Sequence, residues 1–459
     1  MPPIIDQTRP DQTRPDQTTY DFLYDRDFYL KSEVVNVNNF RDKKLGFRII
    51  NDCYVLPFVF TVENGNGLFD SNGAYIRGSS LWHGGVPDAV DAVYDDLITI
   101  AEQRKLDLSN VPFVNQTAVF VGTIHPVWGH FITDCMRLLW FLRSKEYKEK
   151  YLECSVICFY ESEKLLSSNY KRLLEIMGIN FSRLTPITKL TKYKQIILPD
   201  ECFFMRKNGA RYFTSEYVGM FDAVRDFATA NARPTKSDKV YFSYSRYKKS
   251  RIFGEDKLEK YFASKGYDII YPETLSLDEQ LNILINAKSF ASTVGSCSHN
   301  TLFLRDDTEV ILIPRSCGIN PYQTALNYVH RLNVHYVDSS FSIFSGRKGA
   351  EAALLYFVSS KLRAFFHDDD TSCIIDTSDF RKYTHSLLIT GDNPDAYKYY
   401  SNIAAEYFGT LFAVSLRGKF IRKYIKVKEV IKNFLKKITF LRKIVWAIKA
   451  VKRERKIKQ

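Results

Sequence analysis

The chain of 459 residues has 45% apolar and 25% charged side chains, a composition that indicates a globular protein of two or more domains and excludes a fibrous or fully disordered chain. Its net charge of +13 is concentrated at one end, because residues 416–459 hold 17 Lys or Arg against two acidic residues, while the other 415 residues hold 48 basic and 50 acidic ones. A nearly neutral body disfavours general nucleic-acid binding.

The N-terminal residues have neither the pattern of a signal peptide nor that of a folded segment. The opening MPPIIDQTRP lacks the basic and apolar regions of a signal peptide, and the sequence has no run of 18 apolar residues that could span a bilayer. Residues 6–18 repeat DQTRP without an apolar side chain, so we predict that residues 1–19 are disordered. The eight cysteines, of which only Cys154 and Cys158 are close in sequence, are typical of reduced thiols in a cytoplasmic protein.

Short apolar runs alternate with helical periodicity between residues 20 and 235. The runs predict strands, and the periodic stretches predict helices. The predicted strands are 117–122, 154–159 and 194–199, and the predicted helices are 129–150 and 162–178. Such alternation is typical of a parallel sheet with crossover helices. We therefore predict a first α/β lobe over residues 20–235 that ends in a polar linker at 231–239.

The stretch GTIHPVWGHFITDCMRLLWFL, residues 122–142, is mostly apolar but contains His125, His130 and Asp134. Because His130 and Asp134 are four residues apart, a helix places them on one face. A carboxylate beside an imidazole can orient the ring and stabilise its protonated form, as a general base requires. The alternative is structural: a buried histidine that donates to a carbonyl, and an aspartate that caps a helix or pairs with Arg137.

A second alternation of strands and helices follows from residue 236 to 345. Its predicted strands are 239–244, 267–271, 288–294 and 309–313, and its predicted helices are 254–265, 276–287 and 297–304. Short strands separated by helices favour a doubly wound, Rossmann-like lobe. Residues 346–415 are mixed in character and predict only an extension of this lobe.

The basic stretch YFSYSRYKKSR follows the first strand of the second lobe. It contains Arg246 and Arg251 together with Lys248 and Lys249. Ligands bind at the carboxyl ends of strands in open α/β sheets, and the planar fork of an arginine suits a diphosphate. The alternative is an ordinary basic loop in solvent.

A glycine-containing turn follows a later strand of the same lobe, in the stretch ASTVGSCSHNTLFL. Gly295 allows the backbone to approach a ligand, and the first N–H groups of the predicted helix could bind an anion. A tight turn with Gly295 for its geometry and Ser296 or Ser298 as the N-cap would have the same sequence.

The basic segment 416–459 has the pattern of one long amphipathic helix. Lysines and arginines fill one face, and an apolar stripe runs along the other. The stripe consists of Ile421, Tyr424, Ile431, Leu435, Ile438, Leu441, Val445 and Ile448. We predict that this helix lies on an anionic membrane surface with Trp446 at headgroup depth, which would place the protein on the inner face of the cell membrane. The alternative is a helix packed on the protein's own lobes or paired in a coiled coil.

Three segments together resemble one enzyme family. GHFITDCMRLLWFL resembles the G-H-F-x-x-D-x-x-x-R-L element of glycosyltransferase family 61, common in bacterial capsule and lipopolysaccharide loci. SRYKKSRIFGE is similar to the S-R-x-x-x-x-R-x-x-N-E element, and LSLDEQLNILINAKSFASTVGSCSHNTLFLRDDTEVILI to the long C-terminal signature, with order and spacing in agreement over residues 115–315. Two departures are Gly254 in place of Asn, and VGSCSHN in place of H-G-A-G-L-T-N, where Val294 replaces the usual histidine and His299 follows five positions later.

The resemblance implies a GT-B-like fold of two Rossmann-like lobes, with inverting transfer of a sugar from a nucleotide-sugar donor and without an essential metal or other cofactor. It implies catalytic roles for His130 and Asp134. The substrate-binding residues that it implies are Arg137, Arg246, Arg251, Gly295, Ser296, His299 and Asn300. The acceptor would be a growing glycan of a capsule, lipopolysaccharide or exopolysaccharide, and the basic tail would suit a lipid-linked acceptor.

Two other functions stay open. A metal-dependent transferase of the GT-A type would need a D-x-D motif, for which Asp25-Arg26-Asp27 and Asp368-Asp369-Asp370 are candidates, although charge clusters in solvent explain both. The altered VGSCSHN segment suggests instead a catalytically degenerate protein of the same fold that binds glycan or acts as a scaffold at the membrane. Sensitivity of transfer to EDTA separates the metal-dependent enzyme from the metal-independent one.

Overall fold

A computed structural model describes a large part of the chain up to residue 383. The described residues are 18–24, 26, 44–57, 67–76, 107–160, 168–205, 211–247, 252–315, 320–341, 354–373, 375–376, 378–380 and 382–383. All of them belong to one compact unit, Met1–Tyr383. The DQTRP repeat, apart from Thr18, and the basic tail 416–459 lie outside the described residues.

The first sheet has six strands and mixed direction. Its strands are β2 (Phe47–Leu56), β3 (Gly67–Phe69), β4 (Phe113–Ile124), β5 (Ser155–Tyr160), β6 (Leu184–Pro186) and β7 (Thr191–Pro199), in the order β3-β2-β7-β4-β5-β6. The central strand β4 is parallel to both β5 and β7, whereas β2 runs antiparallel to β7 and β3. The three predicted strands are confirmed as β4, β5 and β7. Their apolar runs are found because central strands are buried on both faces.

The predicted helix 129–150 is wrong as a single element. The structure has α1 (Trp128–Ile132), α2 (Met136–Leu139), a 3₁₀ turn at Trp140–Arg143 and a π-helical turn at Tyr147–Tyr151. Thr133 ends α1, with φ −110° and ψ −84°, and its hydroxyl donates to the Gly129 carbonyl at 2.8 Å. Side chains of this segment are buried on most sides, so tertiary packing overrides the helical period.

One helix connects strands within the first sheet, and a hairpin and a long helix lead from the first sheet to the second. Helix α3 (Ser168–Ile176) is followed by a 3₁₀ turn at Phe181–Arg183, the hairpin β8 (Phe203–Met205) and β9 (Arg211–Phe213) comes after β7, and the long helix α4 (Ser215–Ala230) follows the hairpin. Helix α4 buries one face, which includes Tyr217, Phe221 and Val224. The predicted linker is confirmed as the irregular stretch between α4 and the next strand.

The second sheet has six strands, all parallel. Its strands are β1 (Thr19–Phe22), β10 (Lys239–Phe242), β12 (Asp268–Ile270), β13 (Ser289–Thr293), β14 (Glu309–Ile313) and β15 (Asn333–Val337), in the order β1-β15-β14-β13-β10-β12. The connecting elements are α5 (Glu255–Ser264), a 3₁₀ turn at Pro272–Thr274, α6 (Leu277–Asn286), a 3₁₀ helix at Ser298–Phe303 and α7 (Pro321–Asn327). Helix α6 begins with a capping box between Ser276 and Glu279. This mixed α/β architecture with parallel sheets is consistent with a Rossmann-like fold.

Strand β1 joins the second sheet from an unexpected part of the chain, and a strand of the predicted C-terminal extension belongs to a separate three-stranded sheet. Strand β1 lies beside β15, although residues 20–235 were predicted to form the first lobe. Strand β17 (Leu354–Tyr356) pairs with β11 (Ile252–Phe253) and β16 (Ser340–Phe341), and α8 (Ser360–Phe365) packs near β1 and β15. Both segments pair with residues distant in sequence, which local patterns cannot indicate.

Two further sequence predictions concern cysteines and membrane spans. The cysteines that the structure describes are all free thiols. Among those same parts of the chain, no helix is long and apolar enough to cross a membrane.

Substitution of Gly254 tests how closely the start of α5 packs against β17. Gly254 and Gly178 share φ +77°, but a Cβ on Gly254 would lie 2.1 Å from the Tyr356 carbonyl oxygen, whereas a Cβ on Gly178 would meet nothing within 4 Å. Alanine at either position should cost about 1 kcal/mol of backbone strain. We expect Gly254→Ala to lose about 1–3 kcal/mol more, because β17 must move. Urea unfolding measures both variants, and equal losses would contradict the contact with Tyr356.

Candidate functional site

The first part of the candidate site is a histidine–aspartate pair at the end of α1. His130 Nδ1 and Asp134 Oδ2 are 2.7 Å apart, so the proximity predicted from their spacing is present although the helix ends at Ile132. The chain stays compact past the break because Cys135 N donates to the His130 carbonyl at 3.1 Å. If Nδ1–H donates to the carboxylate, the lone pair of the neutral ring is on Nε2.

Groups from both sheets surround this pair. Tyr322, the second residue of α7, donates its hydroxyl to Asp134 Oδ1 at 3.0 Å. The ring of His125 packs against that of His130 with centroids 4.9 Å apart. The side chain of His130 is 32% exposed and that of Asp134 is 15% exposed, so the pair is accessible but largely removed from bulk water.

Arg137, predicted to bind substrate, lies in a different environment. It is buried and forms an ion pair with Glu201, which follows β7. Its backbone carbonyl accepts from Cys202 N at 2.9 Å. A buried, paired guanidinium holds two segments together, and its removal leaves the partly buried carboxylate of Glu201 without its partner. This placement favours a structural role for Arg137.

The second part of the site is the turn that follows β13, residues 294–300. Val294 continues the ladder by donating to the Ile313 carbonyl at 2.9 Å. Gly295 has φ +146°, and its N–H donates to Ser298 Oγ at 2.9 Å. The predicted α-helix 297–304 is a six-residue 3₁₀ helix, and the His299 N–H donates back to the Gly295 carbonyl at 3.2 Å. The turn therefore uses the N–H groups of Gly295 and His299 for its own hydrogen bonds.

The two parts of the site touch each other. A Cβ on Gly129 would lie 2.9 Å from Ser296 Oγ and 3.0 Å from His299 Nδ1. Trp128 Nε1 donates to Asn300 Oδ1 at 2.8 Å, and Asn300 is 2% exposed. The structure therefore brings together His130, Asp134, Ser296, His299 and Asn300.

His299 is fully enclosed at this contact. Neither of its ring nitrogens makes a hydrogen bond of normal geometry, although the ring lies against the backbone of Gly129. Burial, followed by the neighbouring His130, lowers the pKa of His299 to about 4. Its imidazole is therefore neutral at pH 7, because burial disfavours the charged ring.

Two glutamates organise the loop that follows β10. Glu255 Oε1 accepts from Tyr244 N at 2.9 Å, and Glu259 Oε1 accepts from the hydroxyls of Ser243 and Ser245 at 2.6 Å and 2.5 Å. Burial raises the pKa of Glu255 to about 7, and the hydrogen bond from Tyr244 N lowers it only in part. The loop is therefore held by carboxylates beneath it.

The basic residues predicted for this loop are described only in part. The guanidinium carbon of Arg246 is 3.5 Å from the centroid of the Tyr271 ring, a stacked arrangement that keeps the arginine at the surface of the loop. Lys248, Lys249 and Arg251 lie outside the described residues.

Sequence reasoning missed Tyr322 and Arg315. Tyr322 reaches Asp134 from the second sheet, and no spacing in the sequence links residues 188 positions apart. Arg315 follows β14 directly, and its position at the carboxyl end of a predicted strand was a usable signal. Its guanidinium lies beside Gly295 and over the ring of Tyr244.

The two D-x-D candidates form no metal-binding cluster among the residues that the structure describes. Asp25 and Asp27 lie outside the described residues. Asp368 pairs with Lys265 and Arg363 and accepts from the Tyr261 hydroxyl at 2.8 Å, so it is used in local ion pairs. In the described ranges, no group of three or more His, Cys, Asp or Glu side chains is placed to hold a metal ion.

Comparison with known protein families gives a match to this part of the chain. The family described as Glycosyltransferase 61 matches residues 128–311, which include the histidine–aspartate pair, the loop after β10 and the turn after β13. No curated protein matches the chain. The family match confirms the resemblance seen in the sequence motifs.

The pKa of Glu255 makes stability depend on pH. An acid whose folded-state pKa is raised from 4.5 to about 7 stabilises the fold below pH 4.5 and loses that contribution as pH rises through 7. Glu255→Gln keeps an acceptor for Tyr244 N and cannot ionise. Relative to the unchanged protein, this variant should gain stability between pH 5 and pH 8, by at most about 3 kcal/mol.

Thermal unfolding at several pH values measures this gain. Glu153→Gln, at an exposed position, corrects for the loss of one negative charge. A difference between Glu255→Gln and the unchanged protein that stays constant with pH would show that Glu255 is ionised throughout.

Proposed function

We propose that the protein is a glycosyltransferase that transfers a sugar with inversion from a nucleotide-sugar donor to a surface glycan, because its residues 128–311 match the glycosyltransferase 61 family. The proposal includes a GT-B-like arrangement, with the donor bound at the second sheet and the acceptor at the first. The proposal also includes catalysis without a metal ion.

The single observation that carries the mechanism is the His130–Asp134 pair at the contact between α1 and the second sheet. In the proposed reaction His130 Nε2 takes the proton of the acceptor hydroxyl, and Asp134 stabilises the imidazolium. The acceptor oxygen forms its bond to the anomeric carbon while the bond from that carbon to the diphosphate breaks. The electron pair leaves on the nucleoside diphosphate, and one displacement inverts the configuration.

Tyr322 supports this role for Asp134. Its hydroxyl donates to Oδ1 while His130 binds Oδ2, so both oxygens of the carboxylate are engaged and its orientation is fixed. A positioned carboxylate keeps the ring in one tautomer, which is the contribution of the aspartate in a histidine-based catalytic site. Tyr322 comes from α7, so formation of the base depends on the second sheet.

The donor is proposed to bind at the carboxyl ends of β10 and β13. Support comes from Arg246 after β10 and from the 295–300 turn after β13, which lie on adjacent strands. Arg251 belongs to the same proposed site by its position in the sequence motif. Of the turn residues predicted to bind substrate, the half-buried Ser296 would contact the donor directly, while the buried His299, neutral with a pKa of about 4, and Asn300 would hold the turn in place.

The acceptor is proposed to be a lipid-linked glycan of capsule, lipopolysaccharide or exopolysaccharide synthesis. Support comes from the amphipathic pattern of residues 416–459, whose basic residues would hold the enzyme on an anionic membrane surface. Confinement to one surface raises the local concentration of enzyme and acceptor. The corresponding location is the cytoplasmic face of the cell membrane.

Transfer and ligand binding test the catalytic proposal. A panel of nucleotide sugars should contain at least one that raises the melting temperature of the protein. With that donor and a lysate of the native host as acceptor source, His130→Ala and Asp134→Asn should each lower the rate by about 10²–10⁴-fold with the fold intact, because the base is lost or wrongly oriented. Asp226→Asn, at an exposed position on α4, is the control.

Two results would contradict this proposal. Near-normal turnover by both folded variants would remove the pair from the mechanism. Donor binding by the unchanged protein without transfer or donor hydrolysis would favour the alternative of a degenerate glycan-binding or scaffold protein.

Sedimentation with liposomes tests the membrane proposal. The full chain should pellet with anionic vesicles at low salt and much less with neutral vesicles, since each basic residue near an anionic surface contributes about 1 kcal/mol. A form that ends after Ser415 should stay in the supernatant. Equal solubility of both forms beside anionic vesicles would exclude the membrane anchor and favour a helix that packs on protein.

A further inference from the structure

Arg315 is a half-buried arginine without a counter-charge in contact. It follows β14, and within the described ranges it forms no hydrogen bond and no ion pair. Arginines removed from water are usually paired, because the desolvated charge is otherwise costly. An arginine left in this state is a candidate for binding an anionic ligand.

The position of Arg315 is fixed by two neighbours that carry no charge. A Cβ on Gly295 would lie 2.7 Å from Arg315 Nη1, so the guanidinium rests against the backbone at a point where only glycine fits. The guanidinium carbon is 5.2 Å from the centroid of the Tyr244 ring. A cation over an aromatic face is held in place while its N–H groups keep their capacity to donate.

Three neighbouring strand ends meet at this arginine. Tyr244 follows β10, Gly295 follows β13 and Arg315 follows β14, and these strands are adjacent in the order β14-β13-β10. Ligands of open parallel sheets bind outside the carboxyl ends of the strands. Arg315 therefore lies at the edge of the sheet where such a ligand would bind.

The local charges favour an anion at this point. The N–H groups of Gly295, His299 and Asn300 are already bonded within the turn, so the guanidinium is the strongest donor beside it. Glu255 is a carboxyl group that interacts electrostatically with Arg315, and burial raises the pKa of Glu255 to about 7. A carboxyl group that is partly protonated at neutral pH compensates Arg315 only in part.

We propose that Arg315 binds the diphosphate of the donor nucleotide and stabilises the charge that develops on it when the bond to the sugar breaks. This inference rests on the proposed function, since it assumes a nucleoside diphosphate as the leaving group. Arg315 is thus a binding residue outside the motifs that the sequence singled out. Its planar fork can donate two parallel hydrogen bonds to phosphate oxygens.

Nucleotide binding tests the role of Arg315. The probes are UDP, GDP, ADP, dTDP, the corresponding nucleosides and inorganic pyrophosphate, measured by calorimetry with the full chain. For the nucleoside diphosphate that the unchanged protein binds best, Arg315→Gln should weaken binding about 10- to 100-fold, because a charge-assisted hydrogen-bond pair is lost. Arg315→Lys keeps the positive charge but loses the planar fork of the guanidinium. Its affinity for the nucleotide should therefore lie between that of the unchanged protein and that of Arg315→Gln.

The matched control is Arg305→Gln, an exposed arginine that comes after the 3₁₀ helix Ser298–Phe303 and before β14, and this variant should bind the nucleotide normally. Melting temperatures without ligand establish that each variant is folded, and Arg315→Lys serves as the test if Arg315→Gln does not fold.

The possible outcomes separate this inference from the proposed function. If the unchanged protein binds a nucleoside diphosphate and both Arg315 variants bind it equally well, the inference is wrong while the proposed function stands. If Arg315→Lys and Arg315→Gln lose affinity for the nucleoside as much as for its diphosphate, Arg315 acts on the fold rather than on phosphate. If the folded, unchanged protein binds no nucleotide or pyrophosphate at all, the proposed function and this inference both fail.

Discussion

The close approach of α1 to the turn after β13 is the constraint on which the site depends. Gly129 has no side chain, and a Cβ there would overlap Ser296 and crowd His299. The partly buried hydrogen bond from Trp128 to Asn300 fixes the same contact, and a bond that is shielded from water is stronger than one in bulk water. Because α1 follows a strand of the first sheet and the turn follows a strand of the second, the site exists only when both sheets are formed.

The end of α1 at Thr133 determines what each following side chain contacts. The break directs Asp134 to His130 and Tyr322, while Arg137 is buried against Glu201. One short segment thereby holds both the accessible acid–base pair and a buried ion pair that connects it to the end of β7. The mostly apolar character of this segment follows from that position, since its remaining side chains pack between the sheet and α4.

The sequence predicted those parts of the fold that depend on local patterns. Strand β14 has the predicted bounds 309–313, because a continuous apolar run between polar residues marks a buried parallel strand. The pairing of Thr19–Phe22 with β15 depends on contacts across more than 300 residues and has no local signal. In the site, the His130–Asp134 contact could be predicted from spacing, but Tyr322 and Arg315 reach it only through the fold.

Burial decides which groups in the site carry charge. His299 is neutral at pH 7 because its pKa falls to about 4, and Glu255 is partly protonated because its pKa rises to about 7. Arginine stays charged even when it is partly buried, because its intrinsic pKa is above 12. Arg246 and Arg315 are held over tyrosine rings at the carboxyl edge of the second sheet. Such an edge attracts a phosphate group with little reorganisation, since its donors are already in place before the ligand binds.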